Sequence, residues 1–353
     1  MRILSATDAI SPAIARTKLV LFTPFRKGRT WKLGATAYLS FYGTIFLPFP
    51  LIYLFFLHAI KAHASAAVAV AALCGILAFT ALCLWIFHLC SRLQFAFFDI
   101  VLNRGEFVAP AWRKYGPQSR RWTAVKAAAG TAVTLALGLP IAAYVRHLIP
   151  LMESIRPDQP PPPEFMAAIF AGEGLIFLGF GSLFLFSAVV SDFIVPSLAL
   201  ENTTIGEAFR RFFALVRNEA GQFSLYVLLK IGLALAGYMA QTIIFYIVVL
   251  IFVILLAIIL GIGYLVLHAL GVSVAIMIVL ACLVGIPSYF ILIFYVMFVL
   301  IGTVFTFLQA YTLYFLGGRY PLLGDLLDRS TPPSAPLPPH PGYTYAAPPP
   351  TSL

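Results

Sequence analysis

Ionisable side chains are so sparse in this chain that the candidates for chemistry can be taken one by one. Asp192 lies nine residues before Glu201, and Lys230 lies nine after Gly221. At 1.5 Å per helical residue, each would sit ~13 Å inside the same boundary of two successive apolar runs. A charge inside a bilayer costs about 2.5–3.5 kcal/mol even on insertion scales, so a residue kept there is a functional candidate by default. The expected pair is Asp192 with Lys230, with Asp99 and Arg92 close by at the end of the second apolar run. Such a cluster suits two chemistries: an ion pair that fixes helix packing, or a step on a proton or ion path. Glu173, in AGEGLIFLGFGS, has two readings as well. It is an outer-interface carboxylate beside a packing seam of Gly172, Gly174, Gly179 and Gly181, or it is an acid facing a substrate.

Catalytic constellations are missing. GVSVA at residues 271–275 lacks the last glycine of a serine elbow, and His268 has no third group to orient it. His88 and His268 read as packed or interfacial. No HExxH and no phosphate-cradling glycine loop followed by lysine occurs. Cys74, Cys83, Cys90 and Cys282 lie in apolar runs without ligand spacing and read as small buried hydrophobes. The expectation is a chain without enzymatic activity, metal or cofactor.

The elements that would hold these residues follow from composition. With 61% hydrophobic and 10% charged residues and a mean hydropathy of +0.96, the chain cannot face water over most of its surface. A helix crossing the hydrocarbon core needs about 20 apolar residues. Runs of that kind cover residues 33–57, 64–90, 123–145 and 165–195, then nearly all of 222–316. Breaks in the last block are expected at Gly237, Gly261, Gly263, Gly271, Gly285 and Pro287. The predicted fold is all-α: a polytopic transmembrane helix bundle of about six crossings, with eight as the alternative, and with cytoplasmic amphipathic helices in the interface. In the six-crossing version a re-entrant or hairpin insertion lies near residues 255–285.

Basic residues orient the bundle, because short loops rich in Lys and Arg stay cytoplasmic. They cluster before the first run, between the second and third, after the fourth and after the last; the opposite face receives only Lys61, Arg146 and Arg156. Both termini are therefore expected in the cytoplasm of a bacterial inner membrane, with an even number of crossings after residue 222. The first run would act as an uncleaved signal anchor. Ser11 and Pro12 open a short surface helix carrying Arg16 and Lys18. The net charge of +10 points to anionic headgroups of the cytoplasmic leaflet, not to nucleic acid.

Two cytoplasmic connections share a grammar. Residues 95–115 and 190–213 each hold an aspartate (Asp99, Asp192), then a Gly-Glu pair, then an aromatic with two bases: Trp112, Arg113, Lys114 and Phe209, Arg210, Arg211. In the second, Thr204 and Glu207 have capping-box spacing. Ile205, Ala208, Phe209, Phe212, Phe213 and Val216 fall on one helical face, with Arg210, Arg211 and Arg217 off it.

The stretches SRLQFAFFDIVL with AWRKY, SDFIVPSLALENTTIGEAFRRF with FSLYVLLKIGLALA, and PSYFILIFYVMF with LQAYTLYFLGG carry a resemblance. They are similar to an uncharacterised family of bacterial polytopic membrane proteins, a domain of unknown function loosely akin to the membrane domain of some glycerophosphodiester phosphodiesterases. The resemblance covers roughly residues 10–325 and implies a bundle of about six spans with no established activity. Extra apolar residues around 250–283 depart from that family and leave the crossing count open.

Three segments result: a cytoplasmic interfacial segment over residues 1–31, a transmembrane domain over 32–320, and a disordered Pro-rich tail over 321–353. The expected role is a non-enzymatic scaffold or assembly partner that docks an unidentified membrane protein. The alternative is a transporter of small molecules, ions or lipids using the buried Asp and Lys.

Overall fold

The structure, a computed structural model, describes residues 3–23, 27–44, 66–105, 107–153 and 161–330. Helices α1 (Ile10–Phe22) and α2 (Lys27–Thr44) precede a long α3 (Ala66–Asn103) and a short α4 (Val108–Lys114). Then come α5 (Gly116–Glu153), α6 (Pro163–Glu201), the interposed α7 (Ile205–Asn218), the long pair α8 (Ala220–Ala269) and α9 (Val274–Gly317), and α10 (Pro321–Ser330). No strand occurs among the described residues. Four stretches there are long and apolar enough to cross a membrane: Val70–Asn103, Pro163–Glu201, Ala220–Ala269 and Val274–Gly317. The chain is thus a membrane-embedded helical protein. The run expected at 123–145 lies within α5, which also carries Arg120, Arg121, Lys126 and Arg146. Of the first expected run, residues 33–44 are helical and the remainder lies outside the described residues.

The apolar block after residue 222 breaks once, at residues 270–273. Gly237, Gly261 and Gly263 stay inside α8, and Gly285 and Pro287 stay inside α9. Gly271 alone ends a helix because it alone takes a left-handed conformation, φ +74°. Its N–H bonds the His268 carbonyl at 3.0 Å and the Val272 N–H bonds the Leu267 carbonyl at 3.1 Å. Those two bonds are the Schellman pattern, which satisfies the last carbonyls of α8.

Packing is concentrated at one end of the helices. Phe95, Phe98, Tyr115, Trp122, Tyr226, Tyr311 and Phe315 are buried there, with α1, α7 and α10 closing around them. Away from that core, α8 and α9 expose Leu228, Ile243, Ile259, Leu265, Leu283 and Phe290, the surface an apolar solvent must cover. Central to the bundle is α2, whose Gly34, Ala37, Ser40 and Gly43 recur every three residues and are buried. A β-carbon on Gly34 would overlap the Phe298 carbonyl of α9, and one on Gly43 would overlap the Cys90 carbonyl of α3. Small residues here bring backbones into contact.

Several expectations are corrected. The first helix begins at Ile10, before Ser11 and Pro12, after a turn in which the Ser5 hydroxyl accepts from the Asp8 N–H at 3.1 Å. Residues 321–330 are not tail: they form α10, whose Leu323 and Leu327 enter the core because they share one face. Residues 331–353 lie outside the described ones. Among the cysteines only Cys90 is buried; Cys74 and Cys282 sit on outward faces of α3 and α9. The seam of four glycines on α6 shrinks to one, since only Gly172 meets a neighbour, the Tyr144 ring of α5. Phe213 is 55% exposed and so leaves the buried face of α7, which is made by Ala208 and Phe212.

Candidate functional site

Asp192 comes from the last turns of α6, Tyr226 and Lys230 from one face of α8 four residues apart, and Thr312 from α9. The structure brings all four together. Lys230 Nζ pairs with Asp192 Oδ2 and donates to Thr312 Oγ1 at 3.2 Å. The Tyr226 hydroxyl donates to the same carboxylate oxygen at 2.9 Å. Thr312 Oγ1 lies 2.8 Å from the Tyr226 oxygen and 3.0 Å from the Leu308 carbonyl, so its proton has two acceptors. The side chains of Lys230 and Asp192 are 18% and 8% exposed. Phe315 and Tyr311 stack on Tyr226 with centroids 4.4 and 5.4 Å away, and Phe193 meets it edge-on at 5.8 Å. Apolar walls of this kind strengthen the electrostatics inside and raise the cost of losing a partner.

Asp99 and Arg92 go elsewhere. Asp99 Oδ1 accepts from Tyr115 Oη at 2.6 Å, Lys114 Nζ at 2.9 Å and Asn103 Nδ2 at 3.1 Å. Burial first, and then this bond, pushes the Tyr115 phenol up to about 12. Arg92 donates to the Trp112 carbonyl at 2.8 Å, with its guanidinium 4.7 Å from the Trp112 ring. The expected Asp192–Lys230 pair forms, but the short α4 supplies Asp99 with partners before any other helix reaches it.

The remaining candidates are placed as follows. Glu173 is exposed on α6. Arg113 and Arg210 are exposed, and Phe209 is half-buried against Trp122 at 6.5 Å. Arg211 bridges Glu201 and, at 2.7 Å, Glu207. The Thr204 hydroxyl accepts from the Glu207 N–H at 3.3 Å, so the cap forms while the Glu207 carboxylate turns to Arg211. Glu106 of the first connection lies outside the described residues. His268 stacks on Tyr264 at 5.8 Å, and Ser273 occupies the N-cap of α9. Among the described residues no group of three His, Cys, Asp or Glu could hold a metal.

Sequence reasoning missed three buried cations that it had counted as juxtamembrane charge. Arg16 donates to Val101 O at 3.0 Å, to Leu102 O, and to Ser330 O and Oγ at 3.1 and 2.8 Å. It therefore neutralises the carbonyl ends of α3 and α10, where the helix dipole favours a cation. Burial pushes its pKa down from the ordinary arginine value. Lys126 is fully buried and donates to Gly43 O, to Ser91 Oγ at 2.7 Å and to Gln94 Oε1 at 3.5 Å, with the Phe87 ring 4.8 Å away. Arg319, 4% exposed, joins Glu219 at 2.8 Å to the Leu4 carbonyl at 2.9 Å. Face analysis could have found the first two. Arg16 shares its face with Ala9, Ala13 and Val20, and Lys126 shares its face with Ser119, Trp122 and Thr123, all buried.

The geometry thus contains satisfied polar clusters that tie helix ends together. No curated protein and no solved structure matches the chain. Residues 4–326 match the family model of a family of unknown function (DUF7544), and the chain belongs to that family.

Proposed function

We propose that this protein is a non-enzymatic scaffold or assembly partner in a bacterial inner membrane, with both termini cytoplasmic and an even number of crossings after residue 222. The observation that carries the reading is that the donors of the Asp192–Tyr226–Lys230–Thr312 cluster are consumed within it, two of them on Asp192 Oδ2. Its hydroxyls and its ammonium all bond within the cluster or to adjacent backbone, and Tyr226 and Thr312 are fully buried. A transport site must offer unsatisfied polar groups to a passing ligand, whereas a cluster closed on itself fixes helix packing. The hollows at the hairpin tip, about 290 Å³ lined by Leu260, Tyr264, Leu267, Met277 and Ala281, and beside Ile10 and Ile14 of α1 are lined by none of the four.

The long hairpin supports the partner-binding half of the reading. At 1.5 Å per residue α8 is ~75 Å long and α9 ~66 Å, against a hydrocarbon core of ~30 Å. That apolar length exceeds what one straight pass of lipid covers. Covering by a partner's helices would satisfy it.

Reconstitution tests the scaffold against the transporter. Proteoliposomes carrying the full chain and a lumenal pH dye should show no proton flux above protein-free vesicles under an imposed gradient. Flux that disappears in Asp192→Asn would overturn the scaffold reading in favour of transport.

A further inference from the structure

Helix α7 joins α6 to α8, two helices that are each long and apolar enough to cross a membrane. A helix linking such neighbours between their adjoining ends lies at that membrane boundary. Its buried face, Ala208 and Phe212, is turned into the core. The two flanks beside that face differ sharply. On one, Arg211 is held by Glu201 and Glu207, so the charge is neutralised within the protein. On the other, Phe213 is exposed, with Arg210 and Arg217 exposed farther round, nearly opposite the buried face, and neither arginine has a carboxylate partner among the described residues. Seven residues separate Arg210 from Arg217, which puts them ~10 Å apart along the axis and within ~20° of the same direction, with Phe213 between them. Exposed aromatic and unpaired arginines on one flank of an interfacial helix are the combination that binds an anionic lipid surface.

We propose that the Arg210–Phe213–Arg217 flank of α7 binds anionic phospholipid headgroups, the two guanidinium groups taking phosphodiester oxygens and the Phe213 ring entering the acyl boundary. Guanidinium geometry favours bidentate contact with phosphate, and the opposite flank, where Glu201 and Glu207 outnumber Arg211, offers no net positive charge to an anion. The proposal rests on the boundary position of α7 in the reading above and not on the scaffold role. Proton flux through proteoliposomes would therefore remove that role and leave lipid retention unaffected.

The test is native mass spectrometry of the full chain in detergent, titrated with dioleoylphosphatidylglycerol or dioleoylphosphatidylcholine. The wild type should retain phosphatidylglycerol preferentially. The double variant R210Q/R217Q should bind it roughly thirtyfold more weakly, and each single variant roughly fivefold, as expected for two surface arginines. R210K/R217K should keep most of the preference, and R146Q, at the far end of α5, should keep all of it. Raising salt should weaken the wild type and leave R210Q/R217Q unchanged. Equal retention of the two lipids by the wild type overturns the proposal. So does phosphatidylglycerol retention that survives R210Q/R217Q, which would leave an acidic protein segment as the occupant of this flank.

Discussion

The connection after α3 and the connection after α6 use the same parts and differ in where the aspartate finds its partners. Each long helix ends on a non-glycine residue in the left-handed region, Arg104 at φ 56° and Asn202 at φ 52°. Each then runs into a surface helix, and each aspartate pairs with one lysine and one tyrosine. In the first connection those partners, Lys114 and Tyr115, stand at the end of α4 itself, and the pair is open to solvent at 57% for Lys114. In the second they come from α8, with Thr312 of α9 added, and the pair is enclosed. One copy thus closes a loop on itself, while the other joins three long helices. What separates a local clasp from a bundle-wide one is whether the surface helix ends in a lysine and a tyrosine of its own. The second connection has Arg217 and Asn218 at the end of α7, so Asp192 is left to the next span.

Cutting the lysine in each copy should give the largest contrast. Lys230→Met strands a buried carboxylate and should destabilise the protein by about 3–5 kcal/mol. Lys114→Met, at an exposed pair, should cost less than about 1 kcal/mol. Pairing Lys230→Met with Asp192→Leu should recover most of the loss, because an apolar pair leaves no uncompensated charge. Thermal unfolding in detergent measures all three. Equal losses at Lys230 and Lys114 would erase the distinction between the two clasps.

A smaller effect sharpens the local clasp through pH. Tyr115 is buried, and its phenol is pushed up to about 12 by that burial and by Asp99. A phenol whose pKa is higher folded than unfolded holds its proton in the native state. The stability it contributes is complete below the unfolded value near 10 and is lost as pH rises toward 12. The loss is about 2–3 kcal/mol at ~1.4 kcal/mol per unit. Unfolding curves of the wild type and Tyr115→Phe between pH 9 and 12 should therefore converge at the alkaline end. Curves that stay parallel would show that Tyr115 gives up its proton as easily in the folded chain as in the unfolded one.

The sequence made some of this legible and hid the rest for physical reasons. Runs of apolar residues located the long helices because lipid demands length and imposes no pattern beyond it. The same uniformity concealed where α8 ends, since Gly261, Gly263 and Gly271 look alike until backbone conformation separates them. Depth counting brought Asp192 and Lys230 to one level, because both lie at measurable distances from polar ends. It failed for Asp99, whose partner is decided by the fold of a seven-residue helix. Arg16 and Lys126 were hidden by treating every basic residue near a span as a topological signal. A cation that receives carbonyl oxygens from a helix terminus needs no carboxylate, so charge pairing in the sequence gives no sign of it.

The smallest difference between the two connections lies at the start of their surface helices. Thr204 and Phe107 both hold extended backbone at the N-cap, with φ, ψ of −70°, 151° and −124°, 140°. Thr204 uses its hydroxyl on the Glu207 amide, and Phe107 has nothing to offer the first amides of α4. Removing the cap with Thr204→Ala should cost about 1 kcal/mol, and adding one with Phe107→Ser should return about 0.5–1 kcal/mol. The Phe107 ring is exposed, so its loss takes little from the core. Hydrogen exchange at the amides of Val108, Ala109 and Ala111 reads the gain directly, because protection there follows fraying of α4 and not global unfolding. Slower exchange in Phe107→Ser would show that the first surface helix is limited by its missing cap. Unchanged exchange would show instead that Arg92 on the Trp112 carbonyl and Lys114 on Asp99 already hold α4 from its far end. In that case the local clasp, and not the helix, is the unit the first connection preserves.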